Sequence, residues 1–543
     1  MAHPPRPPHD FAPFAAVSAP AVSPHTSGRW VRYAWLIPVL VAVTVYAVGL
    51  DNFFTWDDFI WLDRARTFAR TWPRMFLPDV CYFDPLVHLM FAADFAVAGV
   101  QSRWYQGGDL ALHAGNAVLM YRLARELGHG ERAALYAGVL FAGSCAAADA
   151  VLWASSRVDL VATTFGIWSL LWFVRYLRSD KQRDLVWSLL LFVLALGAKG
   201  TLLVLPGVML WLLLLERKPF RQAAALLPFV AVTALYLVLL KLSLPHAAMP
   251  SATTTINLDN LLLAFGGLFV PDRYLVVLNP YVVAAALIVP VTAAGLCALR
   301  SGATLELRRV GWFLLLAALV PVVAADDFRP VTDGGNFYRL LSSPSHRIYF
   351  ATAGMSLLGG GLLHVVEEWL GARAPKAGTV VAVVLLALIT AGNFVVVRDR
   401  SAMWKFMGDS YRDEVSGLYR YRGQVGAGSL VGLVHFTGSP GFLTPMMKIC
   451  FGIDDLTQLN PIAIDMSYNE ELLAKAGQSF LFVRSPDGIV LDKTTQFRQM
   501  LELNRMVLQH PDSPRCRDEF RVVASSLLWE VRQIIGAESS PTQ

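Results

Sequence analysis

Long apolar runs recur along the 543-residue chain and stop near residue 397. The first lies at residues 31–50, and the others lie near residues 108–126, 133–150, 158–177, 185–197, 200–215, 222–243, 274–299, 310–325, 347–366 and 377–397. A helix that crosses a hydrocarbon layer of about 30 Å needs about 20 such residues. The pattern therefore predicts an all-α polytopic membrane domain over residues 29–397, with about eleven transmembrane helices.

The regions on either side of the apolar runs have a different composition. Residues 1–28 are rich in Pro, Ala and Ser without a periodic apolar pattern, which predicts a disordered leader. The run at residues 31–50 resembles a signal peptide. The long segment before it and the poor cleavage site at Val45-Tyr46-Ala47 instead predict a retained first helix.

The tail, residues 398–543, predicts a small soluble α/β domain. Short β-type runs at residues 429–436 and 479–483 precede helical patterns at 494–506 and 517–535. Cys450 and Cys516 are candidates for a disulfide if the tail lies in an oxidising compartment. The five cysteines show no metal-binding spacing such as C-x-x-C.

Basic residues alternate between the predicted connections and set the orientation. With a cytoplasmic N-terminus, the cytoplasmic loops carry Arg122, Arg125, Arg132, Arg175, Arg178, Lys181, Arg183, Arg217, Lys218, Arg221, Arg300, Arg308 and Arg309. This is the positive-inside pattern. It places the loops at residues 51–107, 244–273 and 326–346 on the opposite face, and the tail lies there too, as an extracytoplasmic domain.

Composition agrees with a membrane protein and disfavours nucleic acid as a partner. Hydrophobic residues make up 55% of the chain and charged residues only 16%, with a mean hydropathy of +0.48. The net charge of +5 is small and scattered, whereas a nucleic-acid footprint needs clustered Lys and Arg. The Ala, Leu and Arg content is typical of a bacterial inner membrane, and an endoplasmic-reticulum membrane is compatible as well.

Candidate chemistry lies where charged residues occur at membrane depth. Asp149, Arg157, Asp159 and Lys199 together would cost on the order of 10 kcal/mol if they faced lipid. They are therefore expected to face each other, water or a ligand. One interpretation is that they are paired structural charges near the membrane interface.

Their clustering on one membrane face favours a second interpretation. Asp57 and Asp58 follow the first helix, and the predicted topology brings them to the same face as Asp149, Arg157, Asp159 and Lys199, and as His346, Arg347 and Tyr349. Carboxylates together with Lys, Arg and His suit a reaction that deprotonates one group and stabilises a departing phosphate.

Several short segments carry a family resemblance in their order along the chain. They are Trp56-Asp57-Asp58, Asp84-Pro85-Leu86, Leu112-His113-Ala114-Gly115-Asn116, the segment from Asp149 to Asp159, Ala198-Lys199-Gly200, and Ser345-His346-Arg347-Ile348-Tyr349. In these segments the chain resembles GT-C superfamily glycosyltransferases. It is most similar to the branch of the transmembrane-and-tetratricopeptide-repeat O-mannosyltransferases and their bacterial relatives.

The resemblance implies roles for these residues. Asp57 or Asp58 would be the catalytic base, and the donor would be a polyprenyl-phosphate sugar in the lipid bilayer. Lys199, His346, Arg347 and Tyr349 would bind the donor phosphate, while Asp149, Arg157 and Asp159 would support the site or a divalent metal. A protein, lipid or glycan hydroxyl would be the acceptor.

Three positions depart from the pattern of the family. Asp84 stands where Arg is usual, Gly200 where Glu is usual, and Ser345 where Glu is usual, and the tail has no 34-residue repeat. A catalytically decayed GT-C scaffold is therefore one alternative. A non-enzymatic lipid or solute transporter is another, although the internal repeats and midplane helix breaks typical of transporters are not found in the sequence.

Overall fold

The computed structural model describes residues 32–76, 83–127, 130–216, 218, 220–243, 268, 305–323, 344–459 and 476–536. Its helices are α1 Leu36–Tyr46, α2 Asp57–Thr71, α3 Pro85–Ala98, α4 Ser102–Glu126, α5 Glu131–Ala142, α6 Ala148–Leu152, α7 Arg157–Ser179, α8 Gln182–Leu196, α9 Leu205–Leu215, α10 Phe220–Ala223, α11 Leu227–Ser243, α12 Leu305–Val323, α13 Tyr349–Gly371, α14 Pro375–Tyr419, α15 Pro440–Phe451, α16 Thr494–Gln509 and α17 Pro514–Ile534. Its strands are β1 Ser429–Val434, β2 Leu456–Leu459, β3 Ser479–Arg484 and β4 Val490–Asp492.

The predicted fold class is confirmed: a polytopic helical protein with a small mixed sheet near its C-terminal end. Within the described ranges, four helices are long and apolar enough to cross a membrane, or five if one bent pair counts as a span. Three shorter apolar helices add to them. Each predicted span in the described residues coincides with a helix, and the span near 274–299 lies outside them. The leader at 1–28 and the loop at 244–273, apart from Leu268, also lie outside, as do residues 326–343 of the third loop.

Glycines let the membrane helices approach backbone to backbone. A Cβ added at Gly354 in α13 would lie 2.3 Å from the Leu315 nitrogen of α12. A Cβ added at Gly360, further along α13, would lie 2.6 Å from the Ala137 nitrogen of α5. Helices pack closely in lipid where such small residues meet, so α13 holds α5 and α12 on its two sides.

The third predicted span is bent, which corrects its expected end at Asp149. Helix α5 ends at Ala142, and the chain turns by 45° before the short helix α6 that carries Asp149. The Tyr46 hydroxyl donates to the Ser144 carbonyl at this break. A buried carbonyl released by the bend is thereby satisfied.

The C-terminal domain is a four-stranded sheet in the order β2-β1-β3-β4, parallel except for β4. Leu430 and Leu481 belong to a core formed with Phe497 of α16 and Leu527 of α17. Side chains alternate between the faces of a strand. Val431 of β1 therefore belongs to a second core on the opposite face of the sheet, which includes Met446 of α15 and Tyr411 of α14. The predicted β runs and helices are confirmed, and β2, β4 and α15 are additional elements. Cys450 and Cys516 are free thiols.

The tail is joined to the membrane domain by a continuous helix and by contacts to α2. Helix α14 runs without a break through the predicted boundary at residue 398. Asp454, beyond α15, accepts a hydrogen bond from Arg66 of α2 and lies 2.7 Å from Arg70. Phe59 of α2 contacts Tyr411 of α14 at 5.3 Å between ring centroids. The tail therefore holds the helix that begins at Asp57.

Candidate active site

The acidic pair at the start of α2 is divided into one fixed and one accessible carboxylate. Asp58 is buried and accepts hydrogen bonds from the Thr55 N–H at 2.8 Å, the Ser155 N–H at 2.7 Å and the Ser155 hydroxyl. Asp57 is half-buried, and within the described part of the chain no group donates a hydrogen bond to it. Trp56 before it has a φ of +44°, which is strained for a bulky residue. Asp58 therefore fixes the loop and leaves Asp57 available for proton transfer.

Burial perturbs both carboxyl groups, which lie on the first extramembrane helix. Loss of hydration raises the pKa of Asp57, opposed by the positive charge of Arg64. Loss of hydration raises the pKa of Asp58 to about 7, although its hydrogen bonds to Ser155 and Thr55 oppose the shift. A base with a raised pKa suits catalysis near neutral pH.

The Asp58 carboxyl should make stability depend on pH. Its pKa is about 7 in the folded protein against 3.8 unfolded, so the folded state binds the proton more tightly. Its stabilising contribution is then fully present below about pH 4 and is lost as the pH rises to about 7, by up to about 4 kcal/mol. We expect Asp58→Asn to flatten this dependence in denaturant unfolding between pH 5 and 8. If the free energy of unfolding of Asp58→Asn varied with pH as in the wild type, the raised pKa would not belong to Asp58.

Lys199 is paired with Asp159 in the site predicted for phosphate. Its ammonium lies 2.7 Å from both carboxylate oxygens of Asp159, and both side chains are largely buried. Arg347 and Asp84 lie within electrostatic range of this pair. Lys199 therefore has an ion-pair partner within the protein, as the interpretation of paired structural charges predicts. An anion that enters here would meet two cations and two carboxylates.

Two of the positions that depart from the family pattern lie beside Lys199. The Leu86 N–H donates to the Gly197 carbonyl at 3.1 Å, which brings the start of α3 and Asp84 to the Lys199 turn. A Cβ added at Gly200 would lie 2.7 Å from the Tyr236 hydroxyl. Tyr236 therefore occupies the space that a larger residue at 200 would need. The Ser345 side chain lies outside the described part.

Three indole rings lie between the acidic pair and the segment that carries His346. Trp153 and Trp404 stack with ring centroids 5.4 Å apart, and Trp56 meets both edge-on at 6.1 and 5.9 Å. His346 packs edge-on against Trp153 at 5.5 Å. Trp153 thus contacts both the residue before Asp57 and the residue before Arg347.

Asp149 is held by two residues from the tail side of the predicted boundary. Arg400 donates two hydrogen bonds of 2.6 Å to its two carboxylate oxygens. The Trp404 indole N–H donates a third, at 2.8 Å. Asp149 therefore anchors α14 to α6 and orients the indole of Trp404.

Arg157 and Tyr349 are fully buried among polar partners. Arg157 pairs with Asp109 at 2.6 Å and with Asp94, and it donates to the Tyr105 carbonyl at 2.9 Å. It ties together α3, α4 and α7.

The Tyr349 hydroxyl lies 2.8 Å from His113 Nδ1 and accepts from the Asn116 amide at 3.1 Å. These contacts give His113 and Asn116 a structural role as partners of Tyr349. The family resemblance assigned no role to their segment. Phosphate binding by Tyr349 stays a prediction, and its hydroxyl already has two partners.

A divalent metal also stays a prediction. In the ranges that the structure describes, His, Cys, Asp and Glu form no group of three or more that could hold a metal ion. Asp149 and Asp159 are each neutralised by a cation of the protein, Arg400 and Lys199 respectively.

Sequence reasoning missed the partners that position the predicted residues. Ser155 lies inside a quoted motif, so its place in the sequence was a usable signal. Asp109, Arg400 and Trp404 carried no such signal, because they were separated from their partners by tens to hundreds of residues.

A known family matches the part of the chain that contains Asp149, Asp159 and Lys199. Residues 85–244 match the family model described as dolichyl-phosphate-mannose-protein mannosyltransferase. The match confirms the resemblance to GT-C glycosyltransferases, and the O-mannosyltransferase branch stays a prediction. No curated protein matches the chain.

Solved membrane glycosyltransferases show a distant likeness. The oligosaccharyltransferase of Archaeoglobus fulgidus, tethered with an acceptor peptide, is 13% identical, with 84% of this chain and 69% of that chain covered and a TM-score of 0.47. The same protein in complex with zinc and sulfate is 13% identical, with 84% and 72% covered and a TM-score of 0.46. ArnT from Cupriavidus metallidurans, bound to undecaprenyl phosphate, is 12% identical, with 84% and 93% covered and a TM-score of 0.43. Likenesses of this size carry no argument about function.

Proposed function

We propose that this integral membrane protein transfers a sugar from a polyprenyl-phosphate donor to an acceptor hydroxyl, with inversion, on the non-cytoplasmic face. The observation that carries the proposal is the division of the acidic pair. Asp58 is fixed by three hydrogen bonds, whereas the Asp57 carboxylate beside it has no donor among the described residues. A carboxylate that the fold positions but does not use is a suitable general base.

Asp57 begins the reaction by accepting a proton from the acceptor hydroxyl. The hydroxyl oxygen attacks the anomeric carbon while the bond from that carbon to the phosphate oxygen breaks. The electron pair of the broken bond leaves with the lipid phosphate, and the sugar configuration inverts. Burial raises the pKa of Asp57, and a higher pKa makes its carboxylate a stronger base.

Lys199, Arg347 and His346 stabilise the departing phosphate. A cation 4 Å from phosphate at an effective dielectric constant near 20 contributes about 4 kcal/mol before desolvation. The two hydrogen bonds to Asp159 orient the Lys199 side chain. The pair therefore holds the ammonium in place before the donor arrives, which reduces the reorganisation needed in the transition state.

Label transfer in sealed vesicles of known orientation tests the proposal. The protein is reconstituted with a radiolabelled polyprenyl-phosphate hexose, and membrane-impermeant hydroxyl acceptors are added from outside. We expect transfer only in vesicles that expose the C-terminal domain, because that domain packs on the helix that begins at Asp57. Absence of transfer with a panel of lipid-linked hexoses and acceptors would overturn the proposal. Transfer only from the opposite face would overturn the topology.

A further inference from the structure

The indole cluster of Trp56, Trp153 and Trp404 contacts the segments that would carry the two sides of an inverting displacement. In such a reaction the attacking and leaving oxygens lie on opposite faces of the anomeric carbon, so the sugar ring lies between the base and the phosphate subsite. Trp153 contacts Trp56, which precedes Asp57, and it contacts His346, which precedes Arg347. It is the ring that joins the two halves of the proposed site.

The three indoles are not equivalent. Trp404 is 1% exposed, and its N–H donates to Asp149. Trp56 and Trp153 are half-buried, so part of each ring remains accessible. Trp404 is therefore the buried member of the cluster, and Trp56 and Trp153 are its partly exposed members.

The Trp153 indole N–H has no acceptor in the described structure, although the nitrogen is shielded from solvent. A buried Trp N–H normally finds a partner, because a donor that has lost its hydrogen bonds to water and gained none destabilises the fold. Here the ring is stacked on Trp404 and its N–H is left without a bond. An acceptor supplied by a ligand would remove this cost.

We propose that Trp56 and Trp153 form the wall that binds the sugar of the lipid-linked donor, an assignment that rests on the proposed function. The apolar C–H face of a pyranose packs against the indole faces. A sugar hydroxyl accepts a hydrogen bond from the Trp153 N–H, which has no acceptor among the described residues. The wall thereby recognises the sugar rather than the lipid phosphate, which belongs to Lys199 and Arg347.

Trp153→Phe tests the assignment, because Phe keeps a stacking ring and removes the N–H. The affinities of wild type and variant are measured for a polyprenyl-phosphate hexose and for bare polyprenyl phosphate. We expect the affinity for the hexose-bearing lipid to fall about 10-fold, which corresponds to about 1.4 kcal/mol. The affinity for bare polyprenyl phosphate should change less than about twofold.

Trp211→Phe is the matched control. Trp211 is also half-buried, stacks on an aromatic ring, Phe313, at 4.9 Å, and has an indole N–H without an acceptor in the described structure. It lies in α9, away from the acidic pair, and should leave both affinities unchanged. A melting temperature for each variant separates binding loss from unfolding, and Trp56→Phe gives a second variant if Trp153→Phe does not fold.

The outcomes separate the two proposals. If the wild type binds the hexose-bearing lipid no better than the bare lipid and transfers no sugar, the proposed function fails. If the wild type transfers sugar but folded Trp153→Phe keeps the hexose preference, the sugar wall is overturned. An equal fall in affinity for the two lipids would also overturn it, because it would place Trp153 at the phosphate.

Discussion

Asp57→Asn should lower the rate of sugar transfer by at least about 100-fold while the protein still folds and binds its donor. Asn has nearly the same shape as Asp but cannot take a proton. Little structure should be lost, since no described residue donates a hydrogen bond to this carboxylate. Single-turnover label transfer at saturating donor measures the effect.

The pH profile gives the same prediction an independent test. The base acts only when ionised, so the wild-type rate falls as the pH falls through its pKa. Because burial raises the pKa of Asp57, this acidic limb should lie above the range of an ordinary Asp. The limb should be absent from the residual activity of Asp57→Asn.

Asp58→Asn is the matched control one residue along. The amide nitrogen of Asn would face an N–H of Thr55 or Ser155, both of which now donate to carboxylate oxygens. We expect a loss of about 1–3 kcal/mol in the free energy of unfolding, with a smaller effect on the rate than in Asp57→Asn. A fully active Asp57→Asn beside an inactive, folded Asp58→Asn would assign the base to Asp58 instead.

Lys199→Met should destabilise the fold by about 3–5 kcal/mol, because it leaves the Asp159 carboxylate buried without the ammonium that contacts both of its oxygens. The melting temperature and the affinity for polyprenyl phosphate are measured on the same preparation. If Lys199 also binds the donor phosphate, its removal should weaken that affinity by about 1.5–3 kcal/mol. The single variant alone cannot separate the two effects.

The double variant Lys199→Met with Asp159→Asn separates them. It removes the buried carboxylate together with its partner, so most of the stability should return. If Lys199 also binds phosphate, the affinity should stay low in the double variant. Recovery of both stability and affinity would show that Lys199 is a structural partner of Asp159 and would reject it as a phosphate ligand.

Much of the membrane fold was predictable because the bilayer imposes its own length and polarity on the sequence. A spanning helix must satisfy its backbone internally and needs about 20 consecutive, mainly apolar residues to cross the hydrocarbon layer. The helices at α7, α11, α13 and α14 therefore appear directly in the hydropathy pattern. The strands β1 and β3 were visible for a similar reason, since each is a short, mainly apolar run in which every residue but the last is buried.

The bend after α5 was not predictable from hydropathy. Residues 143–148 are Gly, Ser, Cys and three Ala, and a helix or a turn buries such small residues equally well. The break is decided by tertiary contacts, including the Tyr46 hydroxyl that satisfies the Ser144 carbonyl. The boundary at residue 398 followed a change of composition, but α14 continues across it because its later turns are buried against the tail.

The sequence by itself determined which residues are candidates for chemistry. Charges at membrane depth are costly, so Asp149, Asp159 and Lys199 stood out without any structure. Their order along the chain also supported the family resemblance.

Only the tertiary structure decided how these candidates are used. In the structure, hydrogen bonds pair Asp58 with Ser155, Asp149 with Arg400 and Asp159 with Lys199. Asp57 accepts no hydrogen bond from a described residue. The physical reason is that a hydrogen bond or ion pair depends on distance in space, and Asp149 and Arg400 are 251 residues apart in sequence. No local sequence pattern predicts such a pairing, whereas the bilayer requires a run of mainly apolar residues in every helix that crosses it.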